Sequence, residues 1–344
     1  MKIGILTGGG DCPGLNPAIR GFVMKSLDYG SEVWGIREGW KGLVQGIVED
    51  KPLTVGRVEE IIAQGGTVLR TSRTNPYKDP AMVDAVKANI RKYGFDAIAA
   101  IGGEDTLGVA SKLWKEGVPI VGIPKTMDND LSDTDYTFGF DTSVNVAMDA
   151  VDRLRDTAKS HSRVMVLEVM GRHAGWVALY TGVAGGADWI LLPEEPLDMD
   201  AMCAHLLEVR KRGKNYSLVV ASEGVELPQQ EGEKQELDAF GHVTLSERNV
   251  GEYVAQEIER RTGLETRSAA IGHIQRGGPP TAFDRVLASR LGIRAAQCVH
   301  EKDFGKMVAI HANEIVPVPI DKAVGTLRTV PHELYETLKT LFNK

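Results

Sequence analysis

The sequence predicts an α/β protein with mainly parallel sheets, and its 344 residues suit two domains of moderate size. Short apolar runs alternate with longer amphipathic stretches, the pattern of strands joined by crossover helices. Most glycine clusters stand just after a strand candidate, where open parallel sheets place their ligands.

Taken in order, the run Lys2 to Leu6 leads into glycines between Gly8 and Gly14 and a helix beginning near Pro17. Val33 to Ile36 follows, then Asp96 to Ile101 ahead of Gly102-Gly103, then Val118 to Pro124. The strongest helix signal has Asp141 or Thr142 as its cap. Val144, Ala147, Val151, Leu154 and Ala158 recur there at three- and four-residue spacing, a face that should pack on a sheet. The second half repeats the rhythm with Arg163 to Met170 before Gly171, Ala187 to Leu192, and Ser217 to Ala221. From about Val225 to Asn249 the chain turns polar, which reads as a solvated excursion ahead of a helix from Gly251 to Arg261. Gly277-Gly278 is the last cluster.

Composition excludes several classes. Hydrophobic residues make up 42% and charged residues 25%, so neither disorder nor a membrane protein is indicated. The net charge of −7 comes without a basic block, which gives a nucleic-acid partner no support. The three cysteines Cys12, Cys203 and Cys298 are odd in number and far apart, against a disulfide framework and in keeping with a reducing cytoplasm. No secretory leader is recognisable after Met1.

The loop Thr7-Gly8-Gly9-Gly10-Asp11-Cys12-Pro13-Gly14-Leu15-Asn16 runs from a strand into a helix. Small residues there free backbone N–H groups, and a helix N-terminus adds its dipole, so phosphate is attracted. Neither G-x-G-x-x-G nor G-x-x-x-x-G-K-[ST] fits, which disfavours a dinucleotide fold and a Walker loop. For this loop alone a tight structural turn stays an alternative. Gly102-Gly103-Glu104-Asp105-Thr106 and Pro124-Lys125-Thr126-Met127-Asp128-Asn129-Asp130 add what phosphoryl transfer needs: a metal site, a cation and a base. Glu104 can hold Mg²⁺ directly or through water. Asp128 or Asp130 can serve as base, while any single acid of the set can equally be a solvated residue or a helix cap.

These segments, together with M-G-R-H-A-G at 170–175 and G-H-I-Q-R-G-G at 272–278, closely resemble the phosphofructokinase family over nearly the whole chain. The resemblance implies two doubly wound domains that the chain crosses between more than once: 1–139 with 275–325 for the phosphoryl donor, and 140–274 with 326–344 for fructose 6-phosphate. It implies Asp128 as acceptor of the proton from the sugar 1-hydroxyl, with Thr126 and Met127 beside it and Asp130 helping to organise a Mg²⁺ site at Glu104. Gly10, Asp11, Arg73, Gly103, Asp105, Thr106 and Lys125 would meet the donor. Met170, Gly171, Arg172, Glu223, His273, Ile274, Gln275 and Arg276 would hold the sugar phosphate. For Glu223 an ordinary strand-end carboxylate, and for His273 a structural histidine, remain alternatives. Arg163 and Arg267 would reach into a neighbouring subunit, which implies a homodimer or homotetramer. Arginine suits phosphate through its planar, always charged fork.

The same resemblance points to diphosphate as the donor. ATP-using members carry glycine where this chain has Asp105 and Lys125. A carboxylate at Asp105 would meet the α-phosphate of ATP, and two unit charges about 4 Å apart at an effective dielectric of about 20 repel by roughly 4 kcal/mol. Lys125 would offset charge growing in the transition state. A pairing of Lys125 with Asp105 is the alternative, and it would still obstruct ATP. Glu104 replaces the commoner aspartate, as in a subset of the family. Altered basic residues around Lys211 to Lys214 imply little nucleotide control. Competing expectations are an ATP-dependent enzyme, sedoheptulose 7-phosphate as acceptor, and a catalytically silent regulatory subunit. Intact Lys125, Asp128, Arg172 and Arg276 speak against the last.

Overall fold

The computed structural model describes residues 1–228 and 249–342. Most of the polar stretch read as a solvated excursion, 229–248, lies outside the described residues. The chain begins with β1 (Lys2–Thr7), α1 (Leu15–Asp28), β2 (Glu32–Ile36), α2 (Gly39–Gln45), α3 (Val55–Val58), α4 (Pro80–Tyr93), β3 (Ala97–Gly102), α5 (Glu104–Lys115) and β4 (Ile120–Pro124). It continues through α6 (Phe140–His161), β5 (Val164–Val169), α7 (Trp176–Ala184), β6 (Trp189–Leu191), α8 (Met199–Lys211), β7 (Ser217–Ser222), α9 (Val250–Thr262) and β8 (Thr266–Ala270). It closes with α10 (Ala282–Glu301), β9 (Lys306–His311), β10 (Glu314–Pro319), α11 (Ile320–Ala323) and α12 (His332–Lys339).

The strands form two sheets, ordered β10-β9-β4-β3-β1-β2 and β6-β7-β5-β8. Among the described residues every ladder is parallel except the β9–β10 hairpin at one edge. Parallel strands covered on both faces read as unbroken apolar runs, and all six residues of β3 are buried. Its side chains alternate between two cores. Ala97, Ala99 and Ile101 join Phe22 and Leu291 under α1 and α10, while Ile98 and Ala100 join Trp40 and Leu107 on the opposite face. The second sheet is likewise sandwiched, with Val151 and Val177 on one side and Leu206 and Val254 on the other.

The chain leaves the first sheet after β4, builds the second with β5 to β8, and returns through α10 to add β9 and β10. It then crosses again, since Val330, Tyr335 and Phe342 belong to a core of the second sheet. On the return, α10 meets α1 backbone to backbone. A Cβ at Gly21 would stand 2.4 Å from the Ser289 carbonyl oxygen, and one at Gly292 would stand 2.3 Å from that of Ala18. Because α1 follows the first glycine loop and α10 follows Arg276, this contact sets those two loops against each other.

The helix expected from Asp141 or Thr142 is α6, and its apolar face is buried through Val144, Ala147 and Val151. Its cap is different. Gly139 takes the cap position at φ 98°, where an added Cβ would lie 2.4 Å from Cys12 Sγ, so no side chain fits. The expected capping residues stand in the first turn and tie α6 to α10. Thr281 Oγ1 donates to Asp141 Oδ2 at 2.5 Å, while Thr142 donates to Asp284 Oδ2 from its backbone N at 2.8 Å and its hydroxyl at 2.5 Å. The three cysteines are free and buried. Among the described residues no helix is long and apolar enough to cross a membrane.

Candidate active site

A cleft opens at the carboxyl ends of β1, β3 and β4, lined among others by Gly10, Glu104, Lys125, Asp128, Arg172 and Arg276. Its floor is the first glycine loop. Gly8 N donates to the Ile101 carbonyl at 2.9 Å and Gly9 N to that of Ser72 at 3.0 Å, while Thr71 Oγ1 donates back to the Gly9 carbonyl at 2.6 Å. These bonds join the loop to the 71–73 segment, whose exposed Arg73 reaches the cleft. Gly10 lets Arg276 come close: a Cβ there would lie 2.6 Å from Arg276 Nη1, so a larger residue would push the guanidinium aside. The same Nη1 donates to the Asp11 carbonyl at 3.0 Å. Arg276 therefore spans from the second sheet's last loop to the first glycine loop.

The loop after β4 supplies both signs of charge. Lys125 is only 4% exposed, and its Nζ donates to the Gly10 carbonyl at 2.5 Å. Burial pushes its pKa down and the Arg276 charge adds to that, while Cys12, Asp128 and Asp11 pull it back up. The residues beyond it are pinned by their own polar groups. Thr137 Oγ1 donates to the Thr126 carbonyl at 2.6 Å, Thr137 N donates to Asn129 Oδ1 at 3.0 Å, and Asp128 N donates to Thr126 Oγ1 at 3.1 Å. Asn129 takes a left-handed φ of 53°, which asparagine tolerates better than most residues. Asp128 Oδ1 is buried and has no hydrogen-bond partner among the described residues. An orphaned carboxylate oxygen is costly and points to an absent ligand. Burial, and next the charge of Asp128, push Asp130 up to about 7, with the Thr126 hydroxyl opposing.

Glu104 and Asp105 occupy the first turn of α5, where the helix dipole favours negative charge. Glu104 Oε1 accepts from Gly325 N at 3.3 Å. With Asp128 and Asp130 across the cleft, these oxygens suit a hard divalent cation. No three acidic, histidine or cysteine side chains among the described residues converge into a closed cage. Mg²⁺ keeps several waters and uses one or two carboxylates plus substrate phosphates, so an open arrangement fits it.

On the opposite wall, Gly171 adopts φ 145° beside the Ala174 carbonyl, and its N donates to Glu223 Oε1 at 3.4 Å. Burial raises the Glu223 pKa, and the charge of Asp128 raises it further. Gln275 is fully buried and works as a brace: its Oε1 accepts from Met170 N at 2.7 Å and its Nε2 donates to Ser143 Oγ at 2.9 Å.

Of the residues expected from the sequence, Gly10, Asp11, Arg73, Gly103, Glu104, Asp105, Thr106, Lys125, Thr126, Met127, Asp128, Arg172 and Arg276 all line the cleft. Met170, Gly171, Glu223 and Gln275 are not among the residues lining the cleft. His273 and Ile274 are exposed outside it, Ile274 by 68%. Arg163 and Arg267 lie away from their own chain's cleft, both held by Glu265 at 2.7 and 2.9 Å. His173 and Leu327 also line the cleft and were not singled out. His173 was findable beside Arg172 in the M-G-R-H-A-G run, whereas Leu327 sits in no recognisable motif.

Two covered parallel sheets and a strand-end cleft of glycine loops, carboxylates and basic groups define a phosphate-handling α/β enzyme. The chain belongs to the phosphofructokinase family, whose profile it matches over residues 2–299. It is 51% identical over 347 residues to a protein of Dictyoglomus thermophilum named pyrophosphate–fructose 6-phosphate 1-phosphotransferase, covering 100% of this chain and 99% of that one. It is 47% identical over 350 residues to an ATP-dependent 6-phosphofructokinase of Corynebacterium efficiens, covering 99% of each. The crystal structure of Pichia pastoris phosphofructokinase in the T-state superposes with a TM-score of 0.82 at 33% identity over 94% of this chain. This chain spans 35% of that longer one.

Proposed function

We infer that this chain transfers a phosphoryl group from inorganic diphosphate to the 1-hydroxyl of fructose 6-phosphate, giving fructose 1,6-bisphosphate and phosphate, reversibly, in glycolysis and gluconeogenesis. The observation that carries the choice of donor is the pair Asp105 and Lys125 in the donor half of the cleft. Diphosphate would sit in the donor half of the cleft beside the glycine loop and Lys125, without the α-phosphate that Asp105 would repel. The relative from Dictyoglomus thermophilum supports the same donor through its name.

In this reading Asp128 takes the proton from the attacking hydroxyl, which its unpartnered Oδ1 is free to accept. Lys125, already desolvated, faces the bridging oxygen of the donor, where a preorganised cation stabilises developing charge. Arg276 and Arg172 neutralise phosphate oxygens from the sugar side. Mg²⁺ would be held by Glu104 with Asp130 helping to organise it, and would supply charge neutralisation at the transferring phosphates. The division at 139, 275 and 325 fits the crossings of the chain between its two sheets. Arg163 and Arg267, placed off their own cleft, are proposed to serve a partner subunit in a homodimer or homotetramer. The proposed compartment is the cytoplasm. Lys214 Nζ is held by Asp188 at 2.6 Å, which supports little nucleotide control at this point, while Lys211 pairs only weakly with Glu208 at the surface.

The second reading, an ATP-dependent enzyme, is favoured by the name of the relative from Corynebacterium efficiens. Initial rates with Mg²⁺ and fructose 6-phosphate, comparing diphosphate with ATP at equal concentration, separate the two. Turnover confined to diphosphate is expected, and turnover with ATP alone would overturn the donor assignment. Replacing fructose 6-phosphate by sedoheptulose 7-phosphate in the same assay settles the acceptor.

A further inference from the structure

We propose that the segment 325–330, centred on Arg328, is a strap that positions the acid loop of the cleft, which makes Arg328 a positioning residue for phosphoryl transfer. This rests on the reading of Asp128 as the proton acceptor. The strap touches the Glu104 turn and the loop after β4 directly, and the M-G-R-H-A-G loop through Glu194. At its start, Gly325 N donates to Glu104 Oε1 at 3.3 Å and the Thr326 carbonyl accepts from Ser132 Oγ at 2.5 Å. Leu327 pairs with Leu131 in an antiparallel bridge and lines the cleft. Arg328 N donates to the Asp130 carbonyl at 2.8 Å, and its Nη1 approaches the Asn129 carbonyl at 3.4 Å. Two residues on, Val330 N donates to Glu194 Oε1 at 2.8 Å, the same carboxylate that accepts from Gly175 N at 2.9 Å, at the end of the M-G-R-H-A-G loop.

Arg328 joins the two walls. Its guanidinium lies over the Trp176 ring, 4.4 Å from the centroid, and its carbonyl accepts from Trp176 Nε1 at 2.8 Å. Trp176 opens α7 directly after the sugar-side loop and is itself buried. One side chain thus grips a residue of the second sheet's wall and the backbone on the far side of Asp128. A cation over an indole gains attraction when desolvated, and the planar fork of arginine offers donors in a direction lysine cannot copy. Displacing a catalytic group by about 1 Å can cost on the order of a hundredfold in rate. The strap's bonds hold the loop's backbone and leave Asp128 Oδ1 unpartnered.

The test compares wild type, Arg328→Met and Arg328→Lys in turnover with diphosphate and fructose 6-phosphate, and in hydrogen exchange of peptides covering 125–137. Arg328→Met is expected to lower kcat roughly 10- to 100-fold, keep both KM values within about threefold, and speed exchange across 125–137. Arg328→Lys, which keeps the charge over Trp176, is expected to recover part of kcat. Unchanged kcat with unchanged exchange overturns the proposal, and so does a loss confined to KM for fructose 6-phosphate, which would make Arg328 a direct ligand. If Arg328→Met does not fold, Arg328→Lys carries the same two readouts: an intermediate kcat with faster exchange supports the strap, and wild-type values for both overturn it. If the wild type turns over with neither diphosphate nor ATP, the functional reading fails, and exchange across 125–137 decides the strap alone.

Discussion

The two sheets hold their functional loops in different ways. The loop after β4 is braced mostly from within, since Thr126, Asn129 and Thr137 bond one another across a few residues, with the 325–330 strap adding bonds from outside. The loops beyond the second sheet are braced from outside, with Met170 resting on Gln275 and Arg276 reaching over to Asp11. Short-range bracing preserves the local shape of the acid loop. Long-range bracing preserves its distance from the sugar side. Phosphoryl transfer needs both, because nucleophile, base and donor must be in line before charge moves.

The sharpest break in this comparison removes the chemistry from the acid loop alone. Asp128→Ala should lower kcat on the order of a thousandfold with little change in KM for fructose 6-phosphate, since general-base catalysis contributes about 10²–10⁴-fold. A rate near wild type would remove Asp128 as the base. The double change Asp105→Gly with Lys125→Gly should admit ATP and depress the diphosphate-supported rate about a hundredfold, as removal of one stabilising group typically does. Continued refusal of ATP in that assay would place donor selectivity elsewhere.

Two smaller effects probe the external bracing. Gly292→Ala forces α10 away from α1 and should cost about 3 kcal/mol, the upper range for overpacking, read from the denaturant midpoint. A loss below about 1 kcal/mol would mean that the helices part without disturbing the loops they hold. Asp284, which ties α6 to α10, is pushed up to about 6 by burial. Its folded-state pKa lies above its unfolded value, so folding takes up a proton between about pH 4 and pH 6 and stability falls as pH rises through that window. Asp284→Asn should remove a stability change of up to about 3 kcal/mol across this window. An unchanged slope would mean that Asp284 does not titrate there.

Much of the fold was legible in the sequence because parallel strands covered on both sides are unbroken apolar runs, and each run picked out before Ser222 proved to be a strand. What escaped lies mainly at sheet edges. β8 reads Thr266-Arg267-Ser268-Ala269-Ala270 and carries no such run, and β10 contains Pro317 and Pro319, which an edge tolerates and a central strand does not. β9 holds the apolar Met307 to Ile310 and was overlooked behind the long α10. Residues of the cleft were legible where glycine and charge follow a strand. The brace role of Gln275 was not, because its partners Met170 and Ser143 are distant in sequence, and the strap at 325–330 has no motif because it acts chiefly through backbone groups. The cap of α6 was misplaced for a related reason: Gly139 is required by the thiol of Cys12, a neighbour the local sequence does not reveal.

The crossing of α1 and α10 at Gly21 and Gly292 also bears on how such an enzyme changes over generations. Contact there is main chain on main chain, so the helices that carry the first glycine loop and Arg276 are held at a nearly fixed spacing. Asp105 and Lys125 stand on other elements and touch neither helix contact. Replacing them leaves the α1–α10 crossing untouched, though it loses Lys125's bond to the Gly10 carbonyl, and relatives 51% and 47% identical bear different donors in their names. Preference for a phosphate donor is a trait the lineage can exchange, while the geometry that delivers the phosphate is inherited whole.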